Sequence, residues 1–361
     1  MKELIVNDQI RPYRIYINVN MDKFINTLNE NKIKKNEKMF IITDENVYKL
    51  HKKHFDNLKE HYKVFIHILE PGQDRKNIHS VIKIYSFLHE NDCNKNSVIL
   101  AYGGKSVGDI AGFASSTYMY GIRFINMPTT FLSQVDSCIG GKTGINFNET
   151  KNLIGSYYNP IFVFISTGFL KTLSRQSFTD GFGEVIKYGV IIDASLLKFL
   201  SENSTPILEM ENDKLLHIVH ESLRLKSQII EKASKDIGSL NALDFGHTVA
   251  HVIESSSNNI VTRGNAVALG ILFTIKLSEQ VMNIEPEIYF RIEKLIAKLG
   301  LHVRYKIENY DEFLSAIKRD KKMLNGINFV LLKQINQCKV KITINDKQII
   351  DALKNSISRE G

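Results

Sequence analysis

Tryptophan is absent from this 361-residue chain, cysteine occurs three times, and no apolar run is long enough to cross a membrane. Each shortage excludes something. Cys93, Cys138 and Cys338 are widely spaced and odd in number, which argues against a disulfide framework and against a CxxC metal site. The longest apolar runs, "NSVILAY" and "IFVFIS", have the length of buried strands, far short of the ~20 residues of a spanning helix. The opening "MKELIVNDQIRPYRIYINVN" lacks a basic region followed by an apolar one, so no secretory signal is read there. A reducing cytoplasm is the expected compartment, with no membrane partner.

What is present describes an ordinary globular chain. Hydrophobic residues make up 43% and charged residues 24%, and the length suits two domains, each with its own core. The net charge of +8 resides largely in solvated runs such as "NKIKKNEK". No basic stripe is interleaved with aromatics, so nucleic acid is not an expected partner. A basic surface favours small anionic substrates, phosphates above all.

Up to about residue 172, strand-like runs alternate with helical ones: "RIYINVN", "MFIITD", "KVFIHILE", "SVILAYGG", "RFINMPTT" and "FVFIST". Continuous apolar strands joined by crossover helices imply a parallel sheet covered on both faces, with ligands at the carboxyl ends of the strands. From 173 to 361 the period moves towards 3.6, and Leu215, Ile218, Val219, Ser222 and Leu225 fall at helical spacing. The expected fold is therefore an α/β N-terminal Rossmann-like domain, residues 1–172, followed by a mainly helical domain, 173–361. A late pair of strand-like runs, "FVLLKQI" and "KVKITI", interrupts the second half.

Four stretches carry chemistry. "YGGKSVGD" ends a strand and opens a helix, where glycine lets backbone N–H groups approach a pyrophosphate and the helix dipole favours the anion; alone it is also an ordinary tight turn. "IGGKTGINFNETKN" places Lys142, Lys151 and Asn152 in a short, glycine-bent segment, as ammonium and amide groups suited to phosphate. "GEVIKYG" sets Glu184 and Lys187 at i, i+3, which reads either as a surface ion pair or as a metal carboxylate beside a phosphate lysine. "DFGHTVAHVIE" sets His247 and His251 at i, i+4, so that both imidazoles share one helix face.

Together these stretches resemble 3-dehydroquinate synthase and its relatives, the sugar-phosphate cyclases, from about residue 40 to 340. The resemblance rests on "GGKSVGDIAGFASSTYMYGIRFINMPTTFLSQVDSCIGGKTGIN", "KNLIGSYYNP", "GEVIKYG", "GHTVAHVIE", "GNAVALG" and "RDKKMLNG". It implies an NAD domain followed by a metal and substrate domain, a homodimer, and a sugar phosphate as substrate. It also implies that NAD meets Asp44, Asn46, Gln73, Lys76, Gly104, Lys105, Ser106, Val107, Gly108, Asp109, Thr129, Thr130, Lys142, Lys151, Phe169, Leu170, Lys171 and Thr172. Zinc or cobalt is expected on Glu184 and His247. Substrate is expected at Asp136, Lys142, Asn152, Lys187, Lys226, His251 and Lys321 or Lys322. The implied reaction is phosphate elimination followed by intramolecular aldol closure to a carbocycle.

The sequence departs from that pattern in places that bear on metal and substrate. The family's third metal ligand, a histidine in an HGE triplet, aligns with Arg263 of Arg263–Gly264–Asn265, and a guanidinium cannot coordinate a cation; either a nearby group substitutes, His251 being the candidate, or the metal is lost. Tyr120 replaces a phosphate arginine and Gln73 a ribose glutamate. Leu240 replaces an arginine for the substrate carboxylate and Asp244 an asparagine, changes that disfavour a carboxylated tail. Four readings stay open: a cyclase with an altered substrate, an authentic 3-dehydroquinate synthase, a weak nucleotide-binding paralogue, and a metal-dependent polyol dehydrogenase.

Overall fold

The computed structural model describes residues 1–8, 10–70, 75–148, 150–233, 237–257, 260–319 and 328–358. The chain divides into two compact units, Met1–Ser174 with Leu215–Glu231, and Arg175–Lys214 with Lys232–Gly361. The period change near 172 did not anticipate that Leu215–Glu231 groups with the first unit. The cause is a long-range contact: Lys226, on the helix Asn212–Ala233, binds Asp136, and a Cβ on Gly140 would lie 3.6 Å from the Ile230 side chain.

The first unit is built on a sheet of strands β1 (Lys2–Val6), β2 (Tyr13–Asn18), β3 (Lys38–Asp44), β4 (Lys63–Leu69), β5 (Val98–Gly103), β6 (Arg123–Pro128) and β9 (Phe162–Ser166). Their order is β1-β2-β9-β6-β5-β3-β4, parallel throughout except for β1 against β2. Residues alternate between two cores, as a period of two requires. Met39, Ile41, Leu100 and Tyr102 face one side with Phe24, Phe55 and Phe169, whereas Phe40, Ile42, Ile99 and Ala101 face the other with Val81, Ile84 and Ile110. Every residue of β5 is buried, which explains why its run is apolar without alternation. The periodicity did not reveal the antiparallel ribbon of β7 (Lys142–Phe147) and β8 (Thr150–Tyr157), because its mostly exposed, mixed residues carry no clean alternation.

In the second unit, the helix Arg263–Met282 is buried on all sides from Gly264 to Ile275, the mark of a central core helix. Two other helices press against it through glycine. A Cβ on Gly183 would collide with the backbone of Gly264, and one on Gly264 would overlap the Asp180 carbonyl oxygen. Gly246 has φ +78° and abuts Gly270 in the same way. Each contact stands one residue before a polar side chain of interest, Glu184 or His247. Gly264→Ala is therefore expected to cost about 3 kcal/mol through overpacking and to lower the calorimetric Tm by roughly 6–12 °C. An unchanged Tm would contradict this close approach. The late strand pair forms the hairpin β10 (Asn328–Gln334) and β11 (Gln337–Thr343). Among the described residues, no helix is long and apolar enough to cross a membrane. All three cysteines are unpaired, and burial pushes the Cys138 and Cys338 thiols up to about 12, so neither is a reactive thiolate.

Candidate functional site

In the first unit the expected nucleotide residues gather at the carboxyl ends of three neighbouring strands. The register pairs Thr43 with Tyr102 and Gly103 with Pro128, so the chain leaves β3, β5 and β6 side by side. After β5, Gly104 caps the helix Lys105–Thr117 without any side-chain cap, which leaves the first N–H groups of that helix open to an anion. Thr129 N–H donates to the Gly103 carbonyl at 3.0 Å, and Thr130 Oγ1 accepts from Ser133 N–H at 3.3 Å, fastening the neighbouring turn.

Behind the turn lies a charged bridge. Asp109 Oδ2 accepts from Lys76 Nζ at 2.6 Å and from Lys105 Nζ at 2.8 Å, and Lys76 also donates to Asn152 Oδ1. Lys76 and Asp109 are both buried. Burial drives the Lys76 ammonium down, Asp109 opposes this, and nearby Lys105 and Lys151 add to it. Cations thus outnumber the single carboxylate, which suits a pyrophosphate at this turn. Asn152 has φ +53°, a left-handed conformation that asparagine tolerates, and its N–H donates to Asn146 Oδ1 at 3.0 Å. Lys142 and Lys151 are exposed on the ribbon.

Other expected contacts are placed differently. Asp44 spends Oδ1 on capping the next helix at Val47 N–H, 3.0 Å away, and pairs with Arg75 at 3.4 Å, whereas Asn46 is exposed. The side chains of Val107, Phe169 and Leu170 belong to the core, so only their backbone can meet a ligand; Ser106 and Gly108 are half-buried, and Lys171 and Thr172 are exposed. Lys226 Nζ donates to both the carbonyl and the carboxylate of Asp136 at 2.7 Å, a pairing across 90 positions. Tyr120 is fully exposed. Gln73, Lys321, Lys322 and the Leu240 side chain lie outside the described residues.

The second unit brings three expected residues together. Glu184 and Lys187, on the helix Phe182–Ile191, are each 2% exposed and ion-paired, so the surface-pair reading does not hold. His247 Nε2 lies 3.1 Å from Glu184 Oε1. Burial raises the Glu184 carboxyl, but Lys187, His247 and Arg263 outweigh it and hold it well below the usual carboxylate range. Burial, with Lys187 and Arg263, keeps His247 far below an ordinary imidazole, hence neutral and able to ligate. Its buried Nδ1 has no partner among the described residues. Two donor atoms 3.1 Å apart suit one ion with bonds of about 2.0–2.2 Å, so the pair fits a divalent cation. Among the described residues no third His, Cys, Asp or Glu completes the set. The His251 ring centroid lies 6.0 Å from that of His247.

Sequence reasoning passed over His51, His54 and His67, because histidines in amphipathic runs give no local signal. Burial and neighbouring His54 lower His51 to about 4, and burial lowers His54 and His67. A folded value below the unfolded one means that the unfolded chain binds more protons between the two. Stability is then full above pH ~6.5 and drains as pH falls towards 4. Urea midpoints measured from pH 7 to 4.5 should fall accordingly, with a shallower slope in His51→Gln; a flat profile would refute it.

Comparison with known proteins bears on the family and the fold. Two family models match, 3-dehydroquinate synthase N-terminal over residues 66–180 and 3-dehydroquinate synthase C-terminal over residues 181–323. A 3-dehydroquinate synthase of Clostridium tetani is 49% identical over 358 residues, 99% of this chain and 96% of that protein. A 2-deoxy-scyllo-inosose synthase, solved with carbaglucose-6-phosphate, NAD+ and Co2+, superposes with a TM-score of 0.87 at 20% identity, covering 99% of this chain and 100% of that one. ValA, the 2-epi-5-epi-valiolone synthase of Streptomyces hygroscopicus solved with NAD+ and Zn2+, gives 0.85 at 20% identity over 95% and 96% of the two chains. At that identity the two structures establish the fold. The near-full-length relationship establishes more: this chain belongs to the 3-dehydroquinate synthase family.

Proposed function

We propose that this chain is an NAD-dependent sugar-phosphate cyclase, a carbon–oxygen lyase that eliminates phosphate and closes a carbocycle by an intramolecular aldol step. The observation that carries the reading is the buried trio of Glu184, Lys187 and His247, a charged cluster that a structural core has no need of. When bound, NAD supplies a reversible hydride acceptor and a divalent ion a Lewis acid for a ring oxygen. Glu184 and His247 would hold the ion.

The chain's own residues bind and orient. The turn from Gly104 to Asp109, with Lys76, Lys105, Lys142 and Lys151 about it, binds the pyrophosphate. Asp44, Asn46, Thr129, Thr130 and the backbone from Phe169 to Thr172 position the rest of the nucleotide. In the first unit Lys142, Asn152 and Lys226, and in the second unit Lys187, are the groups offered to the substrate's phosphate and hydroxyls, where orientation supplies much of the rate. Asp136 fixes the Lys226 ammonium at 2.7 Å. His251 moves a proton at a substrate oxygen. Cytoplasmic action as a homodimer completes the proposal.

A second reading, formation of 3-dehydroquinate itself, is favoured by the 49% identity to the Clostridium tetani protein. Against it stands Asp244, a carboxylate in the short helix Ile237–Asp244, three positions ahead of His247, where it repels a carboxylated tail. One experiment separates the readings. Phosphate release with NAD and added Co2+ is expected on six- and seven-carbon sugar phosphates, without net NADH. Preference for sedoheptulose 7-phosphate supports the first reading, and preference for the carboxylated precursor of 3-dehydroquinate supports the second. Accumulating NADH without phosphate release would overturn both in favour of a dehydrogenase.

A further inference from the structure

Beside the two donors of the second unit stands a cation that none of the roles above uses. Arg263 opens the core helix Arg263–Met282, directly before Gly264, whose backbone abuts Gly183, the residue that precedes Glu184. Its guanidinium is held by Glu254, with NH1 3.3 Å from Oε2, and Glu254 rides on the helix His247–Ser256. The donors are fixed in place, because the glycines preceding them press backbone against backbone. Lys187 already shares the Glu184 carboxylate. A divalent ion arriving there meets two donors and two fixed monocations in a medium where like charges repel far more strongly than in water.

We propose that Arg263, clasped by Glu254, is a built-in competitor of the divalent cation at Glu184 and His247, so that this protein holds its ion weakly and exchangeably. The clasp moderates the competition, because a paired guanidinium projects less positive charge onto the donors than an unpaired one. This inference rests on the reading of Glu184 and His247 as cation donors.

The test uses the full chain and Co2+ alone, with binding followed by equilibrium dialysis and by visible absorption. The wild type is expected to lose Co2+ to dialysis against a chelator. Arg263→Gln, without the charge, should bind at least about tenfold more tightly, and Arg263→Lys, which keeps the charge, should stay as weak as the wild type. Arg263→His, adding a second imidazole and so a third donor, should gain at least about a hundredfold and show the stronger absorption of four-coordinate cobalt. Glu254→Gln, which frees the arginine, should weaken binding by about threefold or more. A wild type that retains one equivalent through the chelator, or an Arg263→Gln protein that folds normally and binds like the wild type, overturns the proposal. Glu184→Gln separates the two layers. If that variant also binds like the wild type, the donor reading has failed; if it loses Co2+ while Arg263→Gln changes nothing, only the competitor has.

Discussion

Glu184→Gln is expected to destabilise the protein by about 3 kcal/mol and to abolish phosphate release to below roughly a thousandth of the wild-type rate. The substitution keeps shape and removes charge. Lys187, 2% exposed, is then left as a buried ammonium without its carboxylate, and His247 faces a neutral amide where a carboxylate stood 3.1 Å away. Breaking one partner of a buried pair costs more than the pair ever contributes, because the survivor still pays for its desolvation. The double variant Glu184→Gln, Lys187→Met should therefore recover most of the lost stability and none of the activity. Calorimetry in chelator and a phosphate assay read the two effects separately. A single variant within about 1 kcal/mol of the wild type would mean that the ammonium finds another partner and that the trio is not a coupled unit.

Lys76→Met is expected to raise the NAD dissociation constant at least about tenfold, about 1.4 kcal/mol, and to lower stability by about 2–3 kcal/mol. Lys76 shares with Lys105 the pairing of Asp109 beside the uncapped helix end, and it holds Asn152 across 76 positions. Without it, a buried carboxylate paired, among the described residues, with Lys105 alone at 2.8 Å repels the incoming pyrophosphate. Lys83→Ala is the control: its pair with Glu70 is exposed on both sides, and its loss should change neither quantity. NADH titration by fluorescence and urea unfolding provide the numbers. Reduced stability with unaltered NAD affinity would make the bridge a structural staple and move the nucleotide away from Gly104.

Local pattern carried a good part of this protein. Strand-length apolar runs located β2 to β6 and β9, the spacing of Leu215, Ile218 and Val219 located a helix, and a glycine-rich turn after β5 located the uncapped helix end. All depend on neighbours within a turn or two, where backbone geometry alone sets the period. The shallow ribbon of β7 and β8 escaped because its side chains are mostly in water, and exposed strands impose no alternation. What the periodicities could not express is which distant charges would meet. Glu184 and His247 stand 63 positions apart, Lys76 and Asp109 33, Asp136 and Lys226 90. Those pairings, the burial that shifts their protonation, and the grouping of Leu215–Glu231 with the first unit follow from packing. Packing is a property of surfaces brought together by the whole chain, and no stretch of residues read in isolation contains it.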